Sequence, residues 1–333
     1  MDLSLFFAGT GGSVPTARRG LPALLLRRGG EHLLFDCGEG TQRQLVRSTG
    51  LPELDVVFLT HFHADHWLGL PGMLKSFDLR ERTAPLTVCG PPGTERLLEQ
   101  LRMVFGRTRY PLEIVDLESG DAMEFDGYEV QAFNVRHRGT AFGYAVVEEL
   151  RPGRFDAALA ERLGVTPGPD FGRLQAGETV GGVTPDRVVG EARPGRRVVI
   201  SGDTAPSDRV AAEAAGADVL VHEATFTESE RARAAETAHS TARQAAQLAA
   251  EADVGLLALT HVSTRYVYER DGSHPILDEA RAVFDRVVLP RDFDAIEVPL
   301  PERGAPHLVE RPRRGAPDPA PDPEPAPAEA GAR

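Results

Sequence analysis

Residues 56–66 read VVFLTHFHADH, an apolar run that ends in a cluster of three histidines and one aspartate. A short apolar run bounded by polar residues predicts a buried strand. The loop after such a strand can direct His61 and His63 at one point, while the start of the next helix directs Asp65 and His66 at a second point nearby. Imidazole nitrogens and carboxylate oxygens suit zinc, and the ligand types also permit manganese or iron. The stretch therefore predicts a metal centre at the end of a strand.

Further candidate ligands follow other predicted strands. His137, Asp203 and His261 each come directly after an apolar run. Ligands of open α/β sheets bind at the carboxyl ends of the strands. We therefore expect these three side chains to complete the metal centre that residues 61–66 begin.

The pattern of apolar runs and turn residues predicts an α/β fold. Strands are predicted at residues 3–7, 23–26, 33–35, 56–60, 86–89 and 128–133, and helices at 40–47, 72–80 and 93–105. Strands and helices then alternate at residues 198–200, 208–215, 219–221, 241–252 and 256–260. Strands mixed with helices in this way indicate layers of helices packed on sheets.

Two segments depart from this pattern and divide the chain. Residues 151–194 are rich in glycine, proline and arginine and lack a sustained period, which predicts an insertion that projects as an arm from a catalytic domain at residues 1–300. Residues 151–197 carry eight arginines and six acidic residues, although the whole chain has a net charge of −13. Residues 301–333 consist largely of Pro, Ala, Asp and Glu, a composition that predicts a disordered tail.

The composition also bears on compartment and partners. The N-terminus has no basic segment and no small-residue cleavage site, and no apolar run approaches the roughly 20 residues of a membrane span, so we expect a cytoplasmic protein that does not cross a membrane. The negative net charge disfavours a nucleic-acid partner in general. Local basic patches and bound metal ions can nevertheless supply positive charge where it is needed.

The metal-ligand pattern resembles the HxHxDH motif of the metallo-β-lactamase superfamily. This resemblance implies an αββα sandwich, in which two sheets are flanked by helices. It further implies that one zinc ion is held by His61, His63 and His137, a second by Asp65, His66 and His261, and that Asp203 bridges them. A bridging carboxylate is reasonable, because two dications about 3.5–4 Å apart repel each other unless an anion lies between them.

Other motifs resemble the ribonuclease Z family within that superfamily. They are GTGGSVP at 9–15, FDCGEGTQRQ at 35–44, HEAT at 222–225 and HST at 239–241. The resemblance implies a homodimer with two Zn²⁺ ions per subunit, or another divalent metal, that removes the 3′ trailer from precursor tRNA. It implies a 3′-hydroxyl on the tRNA and a 5′-phosphate on the trailer. It also implies catalytic roles for Asp65, which orients the nucleophile, and for His239, which protonates or polarises the departing 3′ oxygen.

Substrate-binding residues are expected in two places. Gly168 and Pro169 resemble the glycine-proline region of the family's tRNA-binding arm. The family's PxKxRN loop appears here as PTARRG at residues 15–20, without the lysine and the asparagine, and Arg18 or Arg19 could still contact a phosphate.

Two other functions remain open at this point. A small-molecule phosphodiesterase or other hydrolase of the same fold should lack the arm. A non-catalytic RNA-binding or scaffold protein should lack the metal ligands. The sequence carries both features.

Overall fold

The computed structural model describes residues 1–266 and 274–311. In this part of the chain the strands are β1 (Leu3–Gly9), β2 (Ala23–Arg28), β3 (Glu31–Phe35), β4 (Val56–Phe58), β5 (Leu86–Gly90), β6 (Leu112–Asp116), β7 (Ala122–Phe125), β8 (Tyr128–Asn134), β9 (Phe142–Glu148), β10 (Arg197–Ile200), β11 (Val219–Glu223), β12 (Leu256–Thr260), β13 (Val287–Val288), β14 (Ala295–Glu297) and β15 (His307–Val309). The helices are α1 (Thr41–Ser48), α2 (Ala64–Trp67), α3 (Leu70–Leu79), α4 (Thr94–Phe105), α5 (Ala157–Arg162), α6 (Pro169–Gln175), α7 (Asp208–Ala214), α8 (Arg231–Thr237), α9 (Ala242–Glu251) and α10 (Pro275–Arg281).

The strands form two sheets. The first has the order β15-β14-β1-β2-β3-β4-β5-β6, and the second has the order β13-β12-β11-β10-β9-β8-β7. Strands β3 to β6 run parallel in the first sheet, and β10 to β13 run parallel in the second. Parallel strands carry long apolar runs because both faces of such a sheet are covered. The loops that carry most of the predicted metal ligands follow the carboxyl ends of strands in these two parallel groups.

The fold has four layers, two sheets with helices on either side, and a cluster of buried apolar side chains lies at each of the three interfaces between them. Phe35, Phe58 and Tyr144 pack between the sheets, with ring centroids 5.1–5.6 Å apart. Tyr144 also donates a hydrogen bond of 2.6 Å from its hydroxyl to the Leu59 carbonyl. A second cluster joins α1, α3 and α4 to the first sheet, and a third joins α7, α9 and α10 to the second sheet. The predicted αββα sandwich is therefore confirmed.

The insertion at residues 151–194 is more ordered than its sequence predicts. It leaves the second sheet between β9 and β10, which pair antiparallel at Val147 and Arg197. It contains α5 and α6 around a small core of its own, formed by Ala160, Val165, Leu174, Val180, Val183 and Val188. We call residues 151–194 the arm.

The two chain segments at the base of the arm lie very close together. Backbone hydrogen bonds of 2.8 Å join Arg151 and Arg193 in both directions. A Cβ atom on Gly153 would lie 1.8 Å from the Gly190 carbonyl oxygen, so the backbone leaves room only for glycine at position 153. The arm is therefore a narrow, paired extension of the sheet.

The predicted boundary of the tail at residue 300 is wrong in the structure. Residues 301–303 form a single 3₁₀ turn, and β15 extends the first sheet by pairing with β14. Leu308 of β15 packs against the core between the sheets, which explains why this short strand folds despite its polar surroundings. Residues 312–333, the remainder of the predicted tail, lie outside the described residues. Among the described helices, none has the length and apolar character needed to span a bilayer.

Candidate metal centre

The two parallel strand groups, together with β8, bring the predicted ligands to one edge of the sandwich. His61 and His63 lie in the loop after β4, and Asp65 and His66 lie in α2, which begins immediately after that loop. His137 follows β8, Asp203 follows β10 and His261 follows β12. Ligands from both sheets therefore meet where the sheets face each other.

The ligand atoms form two adjacent groups. His61, His63, His137 and Asp203 make up one group, and Asp65, His66 and His261 make up the other; within each group all ligand atoms lie within 4.8 Å of one another. In the first group, Nδ1 of His63 lies 2.9 Å from Nε2 of His61 and 3.2 Å from Nε2 of His137. These are the two sets of ligands that the sequence predicts.

Asp203 lies between the two groups. Its Oδ2 atom is 3.3 Å from Nε2 of both His66 and His261 in the second group. The same oxygen is 3.8 Å from Nε2 of His61 and 4.0 Å from Nε2 of His137 in the first group. Asp203 is also 3 % exposed, so its charge is shielded from solvent. This position fits a carboxylate shared by two cations.

Hydrogen bonds from outside the centre fix the orientation of the histidine rings. Nδ1 of His66 donates to Asp36 Oδ2 at 2.7 Å, and Nδ1 of His137 donates to the Ala238 carbonyl at 2.8 Å. Nδ1 of His261 contacts Thr225 Oγ1 at 2.9 Å. A histidine that donates from Nδ1 presents the lone pair of Nε2 to the centre. These three rings therefore present Nε2 to the centre, whereas His63 presents Nδ1.

The donor set fits divalent metal ions. Nε2 of His66 and Nε2 of His261 are buried and have no hydrogen-bond partner within the described residues. A buried nitrogen without a partner costs stability, and a coordinated cation removes that cost. Burial alone would raise the pKa of Asp65, but the adjacent His261 and His66 imidazoles lower that pKa well below its usual range. Asp65 is therefore available as an anionic ligand.

The loop at residues 9–15 closes over the second group. The backbone N–H of Ser13 donates to Asp65 Oδ2 at 2.7 Å. A Cβ atom on Gly12 would lie 2.4 Å from the ring of His261, so this backbone rests directly on the imidazole. The GTGGSVP motif thus positions a carboxylate and a histidine of the centre.

His239 lies beside the ligands and is held by Glu223. Nδ1 of His239 is 2.7 Å from Glu223 Oε1, and its ring stacks on that of His261 with centroids 5.3 Å apart. Burial alone would lower the pKa of His239, but the Glu223 carboxylate raises it to about 9. His239 and His137 also line a cavity of about 580 Å³. His239 is therefore placed as a hydrogen-bond donor at the entrance to the centre.

Asp36 and Glu223 contact histidines of the site, and the sequence patterns predict a role for neither residue. Asp36 holds His66 and accepts a hydrogen bond of 2.9 Å from the Thr60 hydroxyl. Glu223 accepts a hydrogen bond from the Thr225 hydroxyl and pairs with His239. Both lie within quoted motifs, FDCGEGTQRQ and HEAT, but a buried acid next to a strand end gives no local signal of its partner. Asp36 has a φ of 59°, a left-handed conformation that is rare for residues other than glycine and marks a constrained position.

The expected substrate-binding residues lie in different environments. Arg19 is 5 % exposed and donates to Thr10 Oγ1 at 2.7 Å and to the Pro290 carbonyl at 2.9 Å, so its guanidinium holds the loop together. Arg18 is partly exposed and lines a separate cavity. Gly168 and Pro169 are exposed at the start of α6 in the arm, outside both ligand groups.

Comparison with known proteins identifies the family. A family model described as the beta-lactamase superfamily domain matches residues 31–262. The Ribonuclease Z of Haloferax volcanii is 47 % identical over 308 residues, which cover 90 % of this chain and 96 % of that protein. The Ribonuclease Z of Gemmatimonas aurantiaca is 48 % identical over 310 residues, which cover 91 % of this chain and 98 % of that protein.

Solved structures agree with this result. The crystal structure of the short form of human tRNase Z has a TM-score of 0.64 and 26 % identity, covering 89 % of this chain and all of that one. The metallo-beta-lactamase fold protein YhfI from Bacillus subtilis, at 19 % identity, shares the fold with the same TM-score of 0.64 and the same coverage. The chain belongs to the ribonuclease Z family of the beta-lactamase superfamily.

Proposed function

We propose that this protein is a metal-dependent endoribonuclease that removes the 3′ trailer from precursor tRNA. The observation that carries the proposal is a complete set of metal ligands in a chain that is 47 % identical to a Ribonuclease Z over 90 % of its length. The products would be a tRNA with a 3′-hydroxyl and a trailer with a 5′-phosphate.

The centre is proposed to hold two divalent ions, with zinc as the expected metal. His61, His63 and His137 would bind one ion and Asp65, His66 and His261 the other, with Asp203 shared between them. Two such ions lower the pKa of bound water and offset negative charge on the phosphoryl oxygens. Manganese would also be compatible with these nitrogen and oxygen ligands.

The protein side chains would position the substrate and move protons. Asp65 is fixed by the Ser13 N–H and can accept a hydrogen bond from the attacking water, which orients it toward phosphorus. His239 directs Nδ1 to Glu223, so its Nε2 is free to donate to the departing 3′ oxygen. Both residues contact His261: Asp65 Oδ2 lies 3.4 Å from its Nε2, and the ring of His239 stacks on its ring.

The arm is proposed to bind the tRNA at a distance from the centre. Residues 151–194 carry six arginines and six acidic residues, so the arm is neutral in an otherwise acidic chain. Contacts from its arginines to phosphates would position a nucleic acid without taking part in the chemistry. Gly168 and Pro169 start its exposed helix α6, where the backbone can approach the RNA closely. A small-molecule phosphodiesterase of the same fold has no need of such an arm.

We also propose a homodimer. Leu79 at the end of α3 and Met103 and Val104 near the end of α4 are 67 %, 95 % and 72 % exposed, and α3 packs against α4. Apolar side chains that are exposed together often mark a protein–protein interface. Light scattering should give about twice the 36.0 kDa mass of the chain; a 36.0 kDa species at working concentration would argue against the dimer.

Incubation with one end-labelled precursor tRNA, followed by mapping of the new ends, tests the proposed function. We expect a single cut that releases the trailer, with the 3′-hydroxyl on the tRNA. His239→Gln should slow this cut without weakening the binding of the precursor tRNA. If the protein hydrolyses bis(p-nitrophenyl) phosphate but leaves the precursor uncut, the small-molecule phosphodiesterase is the better description.

A further inference from the structure

A basic surface lies near the metal centre and is separate from the arm. Residues 15–20, the start of α1 and residues 291–293 enclose an open cavity of about 630 Å³. Its charged lining residues are Arg18, Arg19, Arg43, Arg47, Arg291, Glu39 and Asp292. Cations therefore outnumber acids here, in a chain whose net charge is −13. We call this the loop cavity.

Two of these arginines present their side chains together. Arg43 and Arg47 are both exposed and lie four residues apart on α1, so they share one face of the helix. One helical turn separates them by roughly 6 Å along the axis. Positive groups spaced in this way suit successive phosphates of a polymer better than a single small anion.

Asp292, one of the two acidic residues that line the loop cavity, has a structural role. Asp292 accepts hydrogen bonds from the N–H and hydroxyl of Thr10 at 3.1 and 2.7 Å, from the Gly20 N–H at 2.6 Å and from the Gln44 amide at 2.6 Å. These bonds engage both carboxylate oxygens and fix residues 10–20 against α1. Glu39 is exposed to solvent at the edge.

An aromatic ring lies among the cations. Phe293 is half-buried, and the guanidinium groups of Arg47 and Arg311 lie 5.6 and 4.9 Å from its ring centroid. Phe293 also stacks on Phe6, with ring centroids 6.3 Å apart, and packs against the core of the first sheet, so its ring holds the Arg47 guanidinium at the rim of the loop cavity.

The loop cavity is connected to the metal centre by a short stretch of chain. Ser13 donates to the ligand Asp65, and Arg18 is only five residues further along. Five extended residues span at most about 17 Å. The rim of the loop cavity at Arg18 therefore lies near the metal centre, at a distance that a few nucleotides of an RNA strand can span.

We propose that the loop cavity binds phosphates of the RNA strand close to the scissile bond, with Arg43 and Arg47 as the principal contacts. This inference rests on the proposed function and adds a contact that the arm does not provide. The arm would hold the distant part of a folded tRNA, whereas the loop cavity would hold the end that is processed.

The double substitution Arg43→Ala and Arg47→Ala tests this proposal. Alanine preserves the helix, so α1 should stay folded, and an unchanged thermal unfolding midpoint checks this. We expect KM for precursor tRNA to rise about tenfold with little change in kcat, because two solvent-exposed charge contacts to phosphate are lost and exposed contacts of this kind are individually weak. The log–log salt dependence of binding should become shallower by about 1.4–1.8 for two contacts. Arg96→Ala with Arg102→Ala on α4 removes the same charge elsewhere and serves as the control.

A shortened substrate separates the loop cavity from the arm. This substrate is a hairpin that keeps only the acceptor stem and the trailer. The Arg43/Arg47 variant should bind both the hairpin and the full precursor more weakly than the wild type does, by the same factor. Removal of the arm should weaken binding of the full precursor but hardly change binding of the hairpin. The proposal would be overturned if the Arg43/Arg47 variant and the Arg96/Arg102 control bound RNA with equal affinity and equal salt dependence. It would also be overturned if the Arg43/Arg47 variant lost affinity for the full precursor but not for the hairpin. Because RNA binding is measured directly, these results stand apart from whether the wild type cuts at the trailer, which tests the proposed function.

Discussion

The metal centre and the arm are built in opposite ways. In the centre, predicted ligands such as His66 and Asp203 are almost fully buried, and outer hydrogen bonds fix the ring of His66. The arm has a core of only six buried side chains and connects to the body through two paired segments. If the proposed function holds, the chemistry would require the rigid arrangement of the centre, whereas recognition of a large substrate would require only that the arm be held in the right place.

The largest effect is expected from Asp203→Ala, which removes the carboxylate between the two ligand groups. Loss of a shared ligand removes several kcal/mol of charge stabilisation, so trailer cleavage should fall by about 10³-fold or more. Metal content should fall below that of the wild type. The control is Asp208→Ala at the start of α7, where the side chain is exposed, and this variant should keep the metal content and the cleavage rate of the wild type. Retained metal and activity in the Asp203 variant would contradict the assignment of the bridge.

Removal of the arm should affect binding and spare the chemistry. We expect deletion of residues 154–187, replaced by a short Gly/Ser bridge, to weaken precursor tRNA binding by about 100-fold, as for two lost contacts of about 1.5 kcal/mol each. Hydrolysis of bis(p-nitrophenyl) phosphate should persist, since every metal ligand lies outside the deletion. Equal loss of both activities would indicate misfolding, and unchanged tRNA cleavage would exclude a role for the arm.

A smaller effect within the centre is expected from Glu223→Gln. The amide keeps the shape of the side chain but loses the charge that holds His239 and, through Thr225, His261. Outer-sphere substitutions of this kind lower activity by about 10–100-fold. The measurement is kcat for trailer cleavage, with Glu213→Gln on α7 as the control. A kcat equal to that of the control would mean that Glu223 has no role in positioning these rings.

The smallest effect is expected at the junction of the arm and the body. Glu302 accepts hydrogen bonds from Arg151 at 2.7 and 3.1 Å and from Arg193 at 2.9 Å, so it links the base of the arm to the C-terminal segment. Exposed ion pairs contribute about 0.2–1 kcal/mol each, so Glu302→Gln should raise KM for precursor tRNA only a few fold. The exposed Glu310→Gln is the control. A normal KM for the Glu302 variant would show that the arm is oriented by other contacts.

The same contrast explains what the sequence could predict. The ligands at residues 61–66 are adjacent in the chain, and His137, Asp203 and His261 each follow an apolar strand, so local patterns were sufficient. The fold of the arm depends on helices of six and seven residues, α5 and α6, which are too short to show a clear period. The first part of the predicted tail folds because β15 pairs with the distant β14, and that partner leaves no local signal.

Sequence patterns also cannot distinguish the roles of neighbouring residues of the same type. Arg18 and Arg19 are adjacent and were equally good candidates for phosphate binding. Only the structure places the Arg19 guanidinium inside the protein, where it bonds to Thr10 and the Pro290 carbonyl. The role of Asp36 was hidden in the same way, since its contact with His66 spans 30 residues.

Titration of the metal-free protein with Zn²⁺ tests the central claim most directly. Trailer cleavage of a labelled precursor tRNA should be absent after thorough chelation, should rise as zinc is added, and should reach its maximum at two equivalents per chain. Maximal cleavage at one equivalent would contradict the two-ion centre. Full cleavage after chelation, with no metal detected in the protein, would contradict a metal-dependent mechanism altogether.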